Sequence, residues 1–505
     1  MATWFAGPCA RRGIPAVSLR ELLPEALFLG CRDLVVSGCS ADSRRVEPGE
    51  VFVAIRGRRH DGHDYLERAL ERGAAGVVVE RFVAEAGHPQ VVVADSRSAF
   101  AKTCQALAGS PSRSTRVIAI AGSHGTTVAG IALRSILEAA GLSVAMIGPA
   151  AWARPGEAPR FGPITPRPHG LAAMLAEAVD QRHDIVILAA TSEALAERYL
   201  DGVECHQVLL TNLSDDRDAD ATQRFRAGMG RLARSVVTDG AVVLSGDDHE
   251  LAPLAGSNLR ARSRSFGFDP TCDLWGRVER LTTYGTALRL GDAEGSRLVR
   301  LHLIGRENAR LGLAAAAAAR DLGASFEAVV AGLEGLGQVP GRLERTETDD
   351  GAFVFIDEAR TAADLARALR AVREVLPPDA RVHCVVGAQG GSNLADRLAL
   401  ARAAELGADQ VFLAPANPRG EESRDLIGDL QAGLKRPDQA FAFDDRRAAI
   451  ESALAEAAPG DAVLIAGRGR ERVLVGLDTF RTDTDHDLVH RFLGQEVSGA
   501  WQRTA

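Results

Sequence analysis

One stretch constrains the fold more than any other. Val117-Ile118-Ala119-Ile120-Ala121 runs directly into Gly122-Ser123-His124-Gly125-Thr126-Thr127. The apolar run predicts a buried strand, and the Ala/Leu/Ile pattern that follows, as far as Gly141, predicts a helix. Strand, glycine turn and helix N-terminus in that order form a phosphate cradle, because backbone N–H groups and the helix dipole both face the anion. A cradle of this shape completes its charge with a Lys placed just before the Ser/Thr that holds Mg²⁺. Here Thr126 stands in that place and Thr127 is the candidate metal ligand. The outline of a nucleotide site is therefore present without its principal cation.

Composition sharpens the point. Of 59 basic residues only two are lysines, Lys102 and Lys435, and neither lies in a glycine-rich turn. Arginine is a planar fork and does not simply replace an ammonium point charge. Lysine-specific chemistry has almost nowhere to occur in this chain.

Further apolar strands recur with helices between them. Asp184-Ile185-Val186-Ile187-Leu188 and Val208-Leu209-Leu210-Thr211 read as parallel strands, as do Phe353-Val354-Phe355-Ile356, Val382-His383-Cys384-Val385-Val386 and Ala462-Val463-Leu464-Ile465-Ala466. Regular β–α alternation predicts open parallel sheets with ligands at the strand C-ends. The reading is α/β with three domains: residues 1–113, 114–338 and 339–505. The central one is a P-loop-like doubly wound sheet and the last is Rossmann-like. Within the central segment, residues 263–302 alternate weakly and predict a small antiparallel insert. At 505 residues the chain is long enough for several cores.

A net charge of −8 argues against a nucleic-acid partner bound through bulk charge. No apolar run approaches the length of a transmembrane helix, and no leader-type apolar region is evident near the start. Seven scattered Cys without a CxxC pair read as reduced thiols in a cytoplasmic protein. A monomer is expected.

The order of short motifs resembles the Mur ligases, in particular the enzymes that add the third residue of the peptidoglycan stem. Asp42-Ser43-Arg44, Pro48-Gly49-Glu50-Val51-Phe52-Val53-Ala54 and Asp61-Gly62-His63-Asp64-Tyr65 are similar to the family's uridine-binding segment. Ile164-Thr165-Pro166 is similar to its substrate loop, and Thr211-Asn212-Leu213 to the strand end before its metal region. Leu303-Ile304-Gly305 with Asn308, then Pro340-Gly341-Arg342-Leu343-Glu344, match its central-to-C-terminal junction. Asn417-Pro418-Arg419 and Gly467-Arg468-Gly469-Arg470-Glu471 match its amino-acid-binding loops.

The resemblance implies ATP and Mg²⁺ as cofactors, with ATP contacts from residues 122–127, Asn308 and Arg342. It implies a UDP-N-acetylmuramoyl-peptide as ligand, met by Ser43, Arg44, His60, Asp61, Thr165 and Thr191. It implies an amino acid met by Asn417, Pro418, Arg419, Gly467 and Glu471. The family reaction phosphorylates a carboxylate and lets an amine attack the acyl phosphate. Both steps gather negative charge and need a fixed array of cations.

Positions that would supply the array differ here. Besides Thr126, the family's metal-binding Glu falls on Ala189, the His of the same block on Glu193, and its carbamylated Lys on Met229. Adenine-side positions fall on Glu307 and Leu311. Two readings follow: a chain that has lost ligase chemistry yet binds a UDP-linked precursor or a cell-wall protein, or an active ligase using Arg217, Arg360 or Arg470 as substitute cations. A regulatory subunit for another cell-wall enzyme is a third. Two smaller features carry a sharp and a plain reading each. The acidic residues Asp215, Asp216, Asp218 and Asp220 read as a relocated metal site or as a solvated helix-capping loop. His486 and His490, at i,i+4 spacing, read as a metal pair or as an exposed helix start.

Overall fold

The computed structural model describes residues 16–57, 60–84, 88–148, 166–213, 219–256, 260–471, 473–475, 479–481 and 483–494. It divides into two compact units. One comprises Met1–Gly130, Leu137–Phe266 and Ala317–Ala324; the other comprises Ile131–Ile136, Gly267–Ala316 and Ser325–Ala505.

The first unit holds two larger sheets beside a two-residue antiparallel ladder, Val17–Ser18 with Val35–Val36. Five short strands, β1 (Leu27–Leu29), β2 (Cys39–Ser40), β3 (Val51–Val53), β4 (Gly76–Val79) and β5 (Gln90–Val92), are ordered β1-β5-β4-β3-β2. Only the β1–β5 pairing is antiparallel. Helix α1 (Ser96–Leu107) starts where the Asp95 carboxylate accepts the Ser98 N–H at 2.9 Å, which satisfies a donor that the helix itself leaves open. Its Ala99, Phe100, Cys104 and Leu107 join Val51, Val53 and Val78 in one core.

The second sheet of this unit begins with β6 (Arg116–Ala121), the strand predicted from the opening motif, and leads into helix α2 (Thr126–Ala139). It continues through β7 (Val144–Ile147), helix α3 (Pro168–Asp180), β8 (Ile185–Ala190), β9 (Cys205–Leu210), helix α4 (Ala219–Arg234), β10 (Val236–Ser245) and β11 (Arg262–Gly267). The order is β11-β10-β9-β6-β8-β7, all parallel. Val117 to Ala121 are wholly buried, as a strand covered on both faces must be. Ala172 and Ala176 of α3 belong to the same core as α1, so this small-residue helix face welds the two sheets of the unit together.

From β6 the chain passes to the edge strand β7, returns to β8 beside β6, then crosses to β9 on the other side. The crevice between the C-ends of β6 and β9 is thus the topological switch point, where open α/β sheets hold ligands.

The sequence expectation of an antiparallel insert beginning near residue 263 needs correction. β11 is parallel to β10, and the antiparallel ribbon begins later. Arg262-Ser263-Arg264 is exposed, and a strand with one exposed end gives the same weak alternation in either direction.

In the second unit, β12 (Leu274–Thr282), β13 (Gly285–Asp292) and β14 (Gly295–Leu301) form that ribbon. The Ala-rich helix α5 (Gly305–Asp321) follows. Six strands then form the last sheet: β15 (Glu344–Glu347), β16 (Phe353–Asp357), β17 (Val382–Val386), β18 (Gln410–Leu413), β19 (Ala440–Ala442) and β20 (Ala462–Ala466). They are ordered β15-β16-β20-β17-β18-β19 and are parallel except β15.

Helices cover both faces of this sheet. Phe355, Cys384 and Leu464 face a core with α6 (Ala362–Val375) and α7 (Leu394–Gly407). Val354, Ile356, Val385 and Ile465 face α8 (Arg446–Glu456) and α9 (Asp485–Phe492). Side chains alternate along each strand, so one sheet serves two layers. The structure is α/β throughout, as the alternation predicted.

Candidate functional sites at the strand ends

Residues 122–127 follow the C-end of β6 as expected. Gly122 is fixed by close approach: a Cβ there would sit 1.9 Å from Thr211 Oγ1. Gly125 turns the chain with φ +75°, a region that favours glycine. Asn212, itself buried, then stitches the turn shut. Its carbonyl accepts the Ser123 N–H at 3.1 Å, its Oδ1 accepts the His124 N–H at 3.1 Å, and its Nδ2 donates to the His124 carbonyl at 3.1 Å. Two of the N–H groups that a cradle would aim at phosphate are spent on Asn212.

Charge is missing as well. Thr126 is half-buried and neutral, and the Thr127 side chain is buried. Ala189, at the end of neighbouring β8, offers no ligand oxygen. Thr191 caps the short helix Ser192–Ala196, its hydroxyl accepting the Ala194 N–H at 3.2 Å. Met229 lies fully buried in an apolar core with Phe225 and Leu195. Asp248 is spent on the backbone, accepting the Leu213 N–H at 2.6 Å and the Glu250 N–H at 3.1 Å. Among the described residues, only the Thr127 hydroxyl stands where the resemblance expects a Mg²⁺ ligand, whereas a hard divalent ion takes several oxygen ligands. Asp215, Asp216, Arg217, Asp218 and Thr165 lie outside the described residues. Asp220 is exposed and paired with Arg224 at 2.5 Å, the arrangement of a solvated helix start.

The N-terminal segment keeps its polar groups. Arg44 forks onto Asp42 at 2.9 and 2.8 Å, and this holds the Asp42 carboxyl below its ordinary range. Ser43 is buried beside them. His63 Nε2 accepts the Glu80 N–H at 3.0 Å, so its proton sits on Nδ1, which donates to Asp61 Oδ1 at 2.7 Å. The His63 backbone N–H, donating to the same oxygen at 3.0 Å, is the larger cause of the lowered Asp61 carboxyl. His60 is exposed, with Nδ1 3.5 Å from the Tyr65 hydroxyl. Arg81, which the sequence reading passed over, lies 3.6 Å from Asp61. No motif marks it; only the fold brings it alongside.

In the second unit, the loops after β16, β18 and β20 meet at one end of the sheet, and residues expected to meet an amino acid come together there. Glu471 receives Arg360 Nη2 at 2.7 Å, Asn417 Nδ2 at 3.4 Å and Arg419 Nη2 at 3.7 Å. Arg419 holds φ +49°, and Pro418 is buried beneath it. Gly467 turns the chain with φ +110°. Arg342 lies 3.4 Å from Glu358. Burial raises the Glu358 carboxyl, and burial pushes the neighbouring Asp357 up to about 6 against the pull of Arg342. Asn308, in α5, donates from Nδ2 to the Ile304 carbonyl at 2.9 Å and so closes its own helix start.

Beneath the loop sits a charge cluster that sequence reasoning missed. Asp485 is wholly buried and accepts from Arg446 at 2.7 and 2.8 Å and from the Gly469 N–H at 3.2 Å. Arg470 forks onto Glu344 at 3.1 and 2.5 Å. The start of α9 is therefore not an exposed helix start, as its acidic flank suggested. His486 is buried, and its ring lies against that of His490, centroids 4.1 Å apart. The Thr484 capping box was the available signal, because it marks a helix anchored at its first turn. Of the proposed substitute cations, Arg360 is engaged by Glu471 and Arg470 by Glu344.

Comparison with known proteins accords with this geometry. Three family models match in order: the Mur ligase family catalytic domain over residues 35–106, the Mur ligase middle domain over 120–319, and the Mur ligase glutamate ligase domain over 341–469. The UDP-N-acetylmuramoyl-L-alanyl-D-glutamate–2,6-diaminopimelate ligase of Parabacteroides distasonis is 30% identical over 463 residues, covering 90% of this chain and 94% of its own. The protein of the same name from Gloeobacter violaceus is 30% identical over 467 residues, covering 91% and 94%. A solved structure of a ligase of that name superposes with a TM-score of 0.67 at 24% identity over 95% of this chain and 99% of its own. MurF from Acinetobacter baumannii superposes with a TM-score of 0.56 at 20% identity, covering 91% and 97%. The chain belongs to the Mur ligase family.

Proposed function

We propose that this protein is a Mur ligase homologue that binds a UDP-N-acetylmuramoyl-peptide of peptidoglycan synthesis without performing the acyl-phosphate step. The observation that carries the reading is the state of the β6–α2 turn. Its cation position is Thr126, its neighbouring strand ends in Ala189, and Asn212 occupies N–H groups of residues 123 and 124. Loss of one preorganised charge costs about 3–4 kcal/mol in a transition state, a rate factor of roughly 10²–10³. Here the cation and the carboxylate are absent together.

Retention of Ser43, Arg44, His60 and Asp61, with Asp42 and His63 in support, favours precursor binding in the N-terminal segment. The three-domain division at residues 113 and 338 belongs to the same proposal, as does a residual amino-acid pocket around Asn417, Arg419 and Glu471. The relatives' names supply the precursor class, since they are ligases acting on UDP-N-acetylmuramoyl-L-alanyl-D-glutamate.

Calorimetric titration tests the reading directly. The expected result is saturable binding of UDP-N-acetylmuramoyl-L-alanyl-D-glutamate, weakened by Arg44→Ala, and no heat with Mg-ATP up to millimolar concentration. Micromolar Mg-ATP binding together with ADP release in the presence of precursor and diaminopimelate would overturn it.

A further inference from the structure

We propose that Cys39, Cys104 and His169 form a zinc site in the first unit. The three come from separate elements: Cys39 opens β2, Cys104 lies in α1, and His169 is in the first turn of α3. Their ligand atoms, two Sγ and one imidazole nitrogen, all lie within 4.8 Å of one another. The two sulfurs are 3.6 Å apart. Two thiolates on one tetrahedral zinc, with Zn–S near 2.3 Å, stand about 3.8 Å apart. The pair therefore already has nearly the spacing of a tetrahedral edge, and much more than the roughly 2.0 Å of a disulfide.

The histidine is oriented in the way that zinc-bound histidines are. His169 Nε2 lies 2.9 Å from the Cys39 carbonyl oxygen, and donation to a backbone carbonyl places the proton on Nε2 and the lone pair on Nδ1. Its ring is further held by Phe100, edge-on with centroids 4.7 Å apart. Both cysteines are buried and the imidazole is half-buried. Sulfur and imidazole donors favour a borderline-soft ion over magnesium or calcium. Three protein ligands leave one tetrahedral position for solvent.

The consequence is mechanical. Cys39 immediately precedes the segment carrying Asp42, Ser43 and Arg44, so an ion here ties that segment to α1 and α3. Detection of the ion does not depend on precursor binding, and failure of either reading leaves the other testable.

The experiment uses the full-length protein. Metal analysis after purification without chelator is expected to give about one zinc per chain. Replacement with Co²⁺ is expected to give thiolate-to-cobalt charge-transfer bands in the near ultraviolet and intense tetrahedral visible bands. Cys39→Ser or Cys104→Ser alone should weaken the charge-transfer bands, and the two replacements together should abolish them. His169→Gln, which keeps an N–H donor for the Cys39 carbonyl, should weaken Co²⁺ binding at least ~10–100-fold while circular dichroism stays unchanged. Cobalt spectra without charge-transfer bands in the unsubstituted protein would overturn the proposal, as would bands that survive the two serine replacements together. Five titratable thiols instead of seven under denaturing conditions would also overturn it, by revealing a disulfide.

Discussion

The loop after β6 and the loop after β20 occupy the same kind of place, the C-end of a strand inside a parallel sheet, and they are held by opposite means. Residues 122–127 contain no Asp, Glu, Lys or Arg and are closed by backbone and amide hydrogen bonds to Asn212. Residues 467–471 rest on acidic and basic side chains: Asp485 below, Glu344 beside, and Arg360 and Arg419 around Glu471. A fold guarantees where its loops fall. It does not guarantee that charge remains in them. The first loop has the glycine-turn shape with Thr126 and Ala189 at its Lys and carboxylate positions, whereas the second has a network of acidic and basic side chains that also supports its shape.

The largest expected effect breaks the second loop's support. Asp485→Ala strands Arg446, whose side chain is 3% exposed, without its carboxylate. Removing one partner of such a buried pair costs about 3–5 kcal/mol. Urea denaturation should show that loss, and hydrogen exchange should place the new opening in residues 467–471 and α9, not in residues 122–127. Equal opening of both loops would erase the contrast.

Next is a pH effect confined to the second unit. Asp357 titrates at about 6 when folded because burial disfavours its charge. An unfolded Asp titrates near 3.9, so the folded state binds this proton more tightly. The associated stability is fully present below about pH 4 and is lost as pH rises through 6, an amount of about 3 kcal/mol. Asp357→Asn should remove that slope, so the difference between the two denaturation profiles should carry it over pH 4 to 6. The side chain accepts from the Leu343 N–H at 2.9 Å and the Ala359 N–H at 2.8 Å, so the variant is also less stable throughout. An unchanged slope would show that the cluster near Glu358 does not isolate this carboxyl from solvent.

The smallest effect tests the first loop. Gly122→Ala forces a methyl group against Thr211 Oγ1 and should cost about 1–3 kcal/mol, the usual range for overpacking. Adding Thr211→Ala should recover most of the loss, measured by thermal denaturation. Recovery identifies Gly122 as a packing glycine. Failure to recover would return the glycine to a role in ligand approach and sharpen the case for a surviving anion site.

Much of this was legible in the chain. Strands such as Val117 to Ala121 and Ala462 to Ala466 are apolar at successive positions, and only a strand covered on both faces tolerates that. The direction of Arg262–Gly267 was not legible, since alternation carries no sign. The charge cluster around Asp485 was not legible either: its partners Arg446, Arg468 and Gly469 lie 16 to 39 residues away along the chain.

By itself, then, the sequence determined the α/β alternation, the glycine turn after β6 and the loss of the Lys and carboxylate that would charge it. Those are properties of residue type at a position, fixed by local periodicity and side-chain chemistry. Tertiary structure decided the rest. It put Asn212 into the turn, gathered Arg360, Asn417 and Arg419 onto Glu471, and brought Cys39, Cys104 and His169 within reach of one ion. Each needs strands far apart in the chain to lie side by side, and strand order is set by the packing of whole sheets, which no short stretch of residues encodes.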